Sequence, residues 1–125
     1  NKLSKEKAIK NINFICIDIN LQKNIKVDTL ILSNIIEHIN NRPKFLKQLK
    51  KITGAKNYLI RVPLFERDWQ LPLRKELKIY YFSDIDHKIE HTIKQFKKEM
   101  LKSELEIIEI NTIWGEIWAN CTNES

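Results

Sequence analysis

The stretch SDIDHKIEHT, residues 83–92, crowds Asp84, Asp86, His87, Glu90 and His91 together and holds two of the chain's three histidines. His87, Glu90 and His91 read as H-x-x-E-H, the pattern of an inverted zinc-peptidase helix. A zinc site of that kind needs both imidazoles on one helix face and a third ligand downstream. No histidine follows His91. Thr92, with Gln95 three residues later, makes a capping pattern, so a helix through 87–91 must break where the next one starts. Short patterns also match by chance. The expectation is therefore a polar loop holding no metal. Zinc hydrolysis is the least favoured reading.

A second chemical group follows the apolar run VDTLILS, residues 27–33. If that run is a parallel strand, Ser33 and Asn34 stand at its carboxyl end, where open α/β sheets place ligands. Glu37 and His38 come next. His38 suits a general base acting on a hydroxyl or amine. The plainer alternative is a histidine packed at a helix start, with Glu37 bridging locally. A third group is Arg61, Arg67, Asp68 and Trp69. It forms either a wall for an anionic substrate or an Arg–Asp network around a plugging indole. Trp114 and Trp118 alternate onto one face of a strand and read as core.

These groups need a scaffold, and the bulk composition supports one. The chain has 125 residues, 42% hydrophobic and 30% charged, which suits a single domain with a buried core. No run approaches the ~18 apolar residues of a membrane span, and NKLSKEKAIKNINF has no signal-peptide h-region. Cys16 and Cys121 make no C-x-x-C pair, so a cytoplasmic protein with two ordinary thiols is the simplest reading. The net charge of +6 permits an anionic partner. The lysines, however, are spread over KNIK, KFLKQLKK and KQFKKEMLK, with helical spacing and no interleaved aromatic platform. That distribution reads as a solvated face and argues against a nucleic-acid partner.

Periodicity supplies the elements. Residues 2–10 read as a helix or helix end, and INFICID, 12–18, as a buried strand. VDTLILS is a second strand. Asn41 caps a helix with Pro43 in its first turn, Phe45, Leu46, Leu49 and Ile52 on one face, and Gly54 at its end. NYLIRV, 57–62, is a third buried strand. Residues 63–91 form a long polar and aromatic connection, helical in part around 73–78. Thr92 opens a helix that buries Ile93, Phe96, Met100 and Leu101. Strands at 105–110 and 113–119, joined through Asn111 and Thr112, must be antiparallel. Strands alternating with a helix make this an α/β chain.

With these elements in place, VDTLILSNIIEHINNRPKFLKQLKKI resembles the fourth strand and following helix of class I S-adenosylmethionine-dependent methyltransferases. FICIDI is similar to that family's third strand, NYLIRVPLFERDW to its fifth strand and loop, and the closing pair to its last two strands. The resemblance implies an incomplete Rossmann-like methyltransferase fold, with a mostly parallel sheet and a C-terminal antiparallel strand pair. It implies a single partial domain over 1–125, with 63–91 as an acceptor-side insertion. It also implies S-adenosylmethionine as cofactor, with Asp18 or the Ile19 backbone at its adenine and Ser33 and Asn34 at its methionine half. His38, His87 and His91 would then assist proton removal. Glu37, Arg61, Arg67, Trp69, Asp86 and Glu90 would surround a polar small-molecule acceptor. Methyl transfer asks mainly for alignment, because the sulfonium is already activated.

One departure is large. The family's glycine-rich turn, where backbone must approach the cofactor closely, has no counterpart, since the only glycines are Gly54 and Gly115. The chain looks like the C-terminal part of such a domain and is expected to bind the cofactor weakly or not at all. A truncated, non-catalytic binding or assembly module is the alternative. The family's first and second strands also separate the third from the fourth, so INFICID lacks its neighbour. It is expected to leave the sheet, pair beside VDTLILS, or exchange with another chain, making a homo-oligomer through the unpaired edge.

Overall fold

The computed structural model describes residues 11–15 and 25–123. The expectations at 2–10, at Cys16, and at Asp18 and Ile19 lie outside them. The described start of INFICID, residues 12–15, is exposed and in no strand. Strand β1 spans Thr29–Ser33 and is followed by a 3-10 turn, Ile36–His38. Helix α1 spans Arg42–Thr53, β2 Asn57–Pro63, a second 3-10 turn Phe65–Arg67, and α2 Gln70–Glu76. Helix α3 spans Ile93–Lys102, and β3 (Glu106–Ile113) and β4 (Glu116–Thr122) close the chain.

The helix ends follow the local chemistry read from sequence. The Asn41 side chain accepts the Lys44 N–H, and Gly54 ends α1 in the left-handed region at φ 62°. Thr92 and Gln95 complete a reciprocal capping box on α3. The buried face of α3 is Phe96, Met100 and the adjoining Ser103. Leu101, expected inside, is on the solvent side, and Ile93 is partly exposed.

The four strands form one sheet in the order β1-β2-β4-β3. β1 and β2 are parallel, while β2/β4 and β4/β3 are antiparallel. The parallel share is thus a single pairing, since INFICID adds no strand among the described residues. The final hairpin turns at Trp114 and Gly115, not at Asn111 and Thr112 as expected. Both turn residues have positive φ (53° and 74°), the signature of a two-residue turn matched to strand twist. Asn111 and Thr112 lie instead in the ladder opposite Trp118 and Ile117. Trp114, placed at the turn, is 88% exposed, and Trp118 is also outside the core.

Alternation along the strands sends Tyr58, Ile60 and Val62 of β2 and Ile117, Ala119 and Cys121 of β4 to one face. There they meet Leu46 and Leu49 of α1 and Phe96 and Met100 of α3. Each large apolar side chain buried this way contributes about 1.5–3 kcal/mol. Burial pushes the Cys121 thiol up to about 12, which makes it inert, as expected of an ordinary thiol. The other sheet face carries Ile31, Leu59, Trp118 and Asn120 and is open among the described residues, with a cavity of about 300 Å³.

Candidate active site

The parallel strands end at Ser33 and Pro63, and the chemical residues gather beyond those ends. Asn34 leaves β1 at φ 52°, its N–H donating to Arg61 O at 2.9 Å. That left-handed step starts the tight turn that buries Ile36 and Glu37. Glu37 is 1% exposed, and neither of its carboxylate oxygens has a hydrogen-bond partner among the described residues. Burial pushes its carboxyl above the usual range, against lowering by the imidazoles of His38, His87 and His91. The Glu37 carbonyl accepts the Lys88 N–H at 2.8 Å, which draws the far loop onto this turn.

That contact brings in His87. The His38 and His87 rings meet edge to face at 4.8 Å. One ligand atom from each of Glu37, His38 and His87 lies within 4.8 Å of the others. A buried oxygen donor without a partner beside two imidazoles is a donor set that suits a divalent transition metal. No metal ligand was expected among these residues, and the geometry offers a candidate set. The ligand group is not the H-x-x-E-H pattern, because residues 87–91 are not helical and His91 is not in it.

Glu90 and His91 do other work. The Glu90 side chain is wholly buried. Its Oε1 accepts the Ser83 N–H and Oγ–H at 2.7 Å each and lies 2.9 Å from His87 Nδ1. Its Oε2 accepts Arg67 Nη1 at 2.9 Å. Burial alone would raise its pKa, but these bonds outweigh it and hold the carboxyl below the usual range. His91 is also wholly buried, against Phe96, with Nε2 2.9 Å from Glu99. Arg42 grips the same Glu99 through Nε at 2.8 and 2.9 Å and Nη2 at 2.7 Å, and donates to Ile39 O. Desolvation would raise Glu99, yet the His91 and Arg42 bonds hold it at about 2.

Several residues expected at the substrate have internal partners instead. His91 is buried, held by Glu99 and packed against Phe96. Arg67 and Glu90 bind each other, and Arg67 also donates to Leu64 O, so both are internal struts. Arg61 pairs with Glu116 at 2.5 Å and lies 4.9 Å from the Trp118 ring, on the open sheet face. Asp86 is exposed and joins no cluster among the described residues, and Trp69 is 71% exposed. Ser33 lines the open-face cavity.

The sequence reading missed Arg42 and Glu99. Both left a signal. Arg42 is a cation at a helix start, where the dipole disfavours it, and Glu99 lies on the α3 stripe of Phe96 and Met100.

A mixed sheet in the order β1-β2-β4-β3, with its polar cluster beyond the parallel strand ends, matches part of the fold of solved methyltransferases. No protein-family model matches the chain, and no curated protein sequence matches it either. Among solved structures it is similar to an O-methyltransferase family 2 protein from Planctomyces limnophilus DSM 3776 in complex with apigenin. The TM-score is 0.70 at 11% identity, over 98% of this chain and 38% of that one. It is also similar to the small RNA methyltransferase HEN1, with TM-score 0.58 and 18% identity over 86% of this chain and 15% of that one. A third is the Pnkp1/Rnl/Hen1 RNA repair complex, with TM-score 0.59 and 17% identity over 97% and 28%. The chain thus spans well under half the length of the structures it matches.

Proposed function

We propose that this chain forms the acceptor side of a methyl-transfer site, and that Glu37, His38 and His87 hold a divalent cation there. The acceptor in this reading is a ribose hydroxyl at an RNA end. The observation that carries it is the buried Glu37 carboxylate, unpartnered at both oxygens beside two imidazoles. S-adenosylmethionine, when bound, supplies a methyl group already activated on sulfur. A cation at the cluster supplies positive charge that favours loss of the acceptor hydroxyl's proton. The chain's own residues do the rest. Glu37 offers a carboxylate oxygen, His38 and His87 offer nitrogens, and three protein ligands leave positions open for an acceptor. Of the cofactor contacts expected, Ser33 and Asn34 stand at the carboxyl end of β1, the end where such sheets place ligands.

An RNA end is favoured over the small molecule expected from sequence by the connection that carries His87. It exposes Trp69 and Tyr80, interspersed with Arg74, Lys75, Lys78 and Lys88. Exposed rings among cations suit stacked bases and phosphates. The Tyr80 hydroxyl donates to Asp84 O, which ties this ring to the His87 loop. Two of the similar structures are named for RNA. A polar small-molecule acceptor is the second reading, favoured by the similar O-methyltransferase solved with apigenin.

Calorimetric titration with Mn²⁺, followed by binding of a labelled short oligoribonucleotide, tests the proposal. One Mn²⁺ site is expected, lost in Glu37→Gln and His87→Ala. Binding of an RNA with a free terminal diol should depend on Mn²⁺ and exceed that of a dideoxy-ended strand. Mn²⁺ binding that survives both substitutions would remove the cation from the reading. RNA binding indifferent to the terminal hydroxyls would remove the RNA end.

A further inference from the structure

We propose that Glu90 is a positioning residue that fixes the tautomer of His87, so that His87 presents Nε2 to the Glu37–His38 cluster. The inference rests on the reading of that cluster as the acceptor site. Glu90 Oε1 lies 2.9 Å from His87 Nδ1 and already accepts two donors from Ser83. An ionised carboxylate only accepts, so the bond to His87 requires the proton on Nδ1. A neutral imidazole then has its lone pair on Nε2, the nitrogen left for the cluster. This is the arrangement in which a carboxylate behind a histidine sets the ring's orientation and raises its strength as a ligand.

The geometry around Glu90 is too specific for a chance surface pair. Its side chain is wholly buried, that of His87 is 8% exposed, and Arg67 holds the second oxygen at 2.9 Å. Arg67 is itself held by Leu64 O, just beyond β2. The loop residue His87 is thereby referenced to the rigid end of a central strand. The Lys88 N–H, donating to Glu37 O, sets the loop from the other side.

The substitution Glu90→Gln keeps shape while disturbing the acceptor set. With its oxygen toward His87, its NH₂ faces the Arg67 donor; with its NH₂ toward His87, it faces the Ser83 donors and turns Nδ1 into an acceptor. The second arrangement moves the ring proton to Nε2 and blocks the cluster. The experiment is ¹⁵N NMR of the histidine ring nitrogens in the metal-free chain, with Mn²⁺ titration of wild type and Glu90→Gln. The wild type should show His87 with the proton on Nδ1. Glu90→Gln should shift that population toward Nε2–H and weaken Mn²⁺ binding by about 10–100-fold. Wild-type His87 protonated on Nε2, or Mn²⁺ binding unchanged in Glu90→Gln, overturns the proposal. The wild-type spectrum needs no variant, so a poorly folded Glu90→Gln does not remove the test. An Nδ1–H tautomer in a chain that binds no Mn²⁺ supports the role of Glu90 and overturns the cation reading alone.

Discussion

A buried carboxylate without a partner raises the free energy of the folded state, and Glu37 is such a group. Its folded pKa lies above the unfolded value, so the stability its neutral form allows is lost as pH rises through the folded value. At pH 7 the residue is therefore a net cost that a cation would remove. Glu37→Gln should stabilise the metal-free chain by on the order of 1 kcal/mol, or about 4 °C in Tm. Excess Mn²⁺ should reverse the ranking, since a ligand at a hundredfold excess over Kd adds about 2.7 kcal/mol to wild type alone. Differential scanning calorimetry with and without Mn²⁺ checks both halves. A metal-free Glu37→Gln less stable than wild type would mean that Glu37 serves the fold and not a ligand. At this scale the sequence was half legible. The H-x-x-E-H pattern marked the loop that carries His87, but spacing alone paired His87 with His91. In the fold, the loop backbone turns His91 inward to Glu99, and His87 meets His38 from a segment 49 positions away.

Elements meet at the Arg42–Glu99–His91 clasp, which joins the start of α1, the middle of α3 and the end of the 63–91 connection. The folded pKa of Glu99 is depressed to about 2 from an ordinary 4.5. The stability it contributes is therefore fully present above pH 4.5 and lost as pH falls toward 2. Glu99→Gln should cost on the order of 2 kcal/mol at pH 7, and the gap to wild type should close across that acid window. Urea titrations at several pH values measure this, and a gap constant down to pH 2 counts against the clasp. The β3–β4 hairpin makes a second element-scale prediction. A Cβ on Gly115 would meet the Arg67 Cβ at 2.9 Å, at a φ of 74°. Gly115→Ala should thus cost about 1–2 kcal/mol or more, and by displacing Arg67 should also weaken Mn²⁺ binding. Trp114 is strained at φ 53° yet 88% exposed, so Trp114→Gly should stabilise by about 1 kcal/mol in the same thermal melts. Helix ends were legible because Asn41, Gly54 and Thr92 act on their own neighbours. The hairpin turn was not, because a Trp in the left-handed region carries no ordinary turn signal.

For the whole molecule, the sheet is the deciding feature, because α1 and α3 cover one face and, among the described residues, the other is open. Ile31 is 68% exposed and Leu59 43% on that open face, beside the rim of β1, which pairs on one side only among the described residues. The α/β class could be read from sequence because buried runs and caps are local signals. The open face could not be read there, since VDTLILS and NYLIRV look like strands covered on both sides. An apolar strand with unpaired N–H and C=O groups is a template for another chain. We therefore expect the 125-residue chain to self-associate through the β1 edge and the adjoining face. Sedimentation velocity over a concentration series should show reversible growth beyond the monomer. Ile31→Lys, which places a charge on that rim without touching the core, should shift the chain to monomer while leaving Mn²⁺ binding at Glu37 intact. Wild-type sedimentation as a monomer throughout the series would show that the open face does not drive association. Ile31→Lys that stays associated would place the contact on another surface.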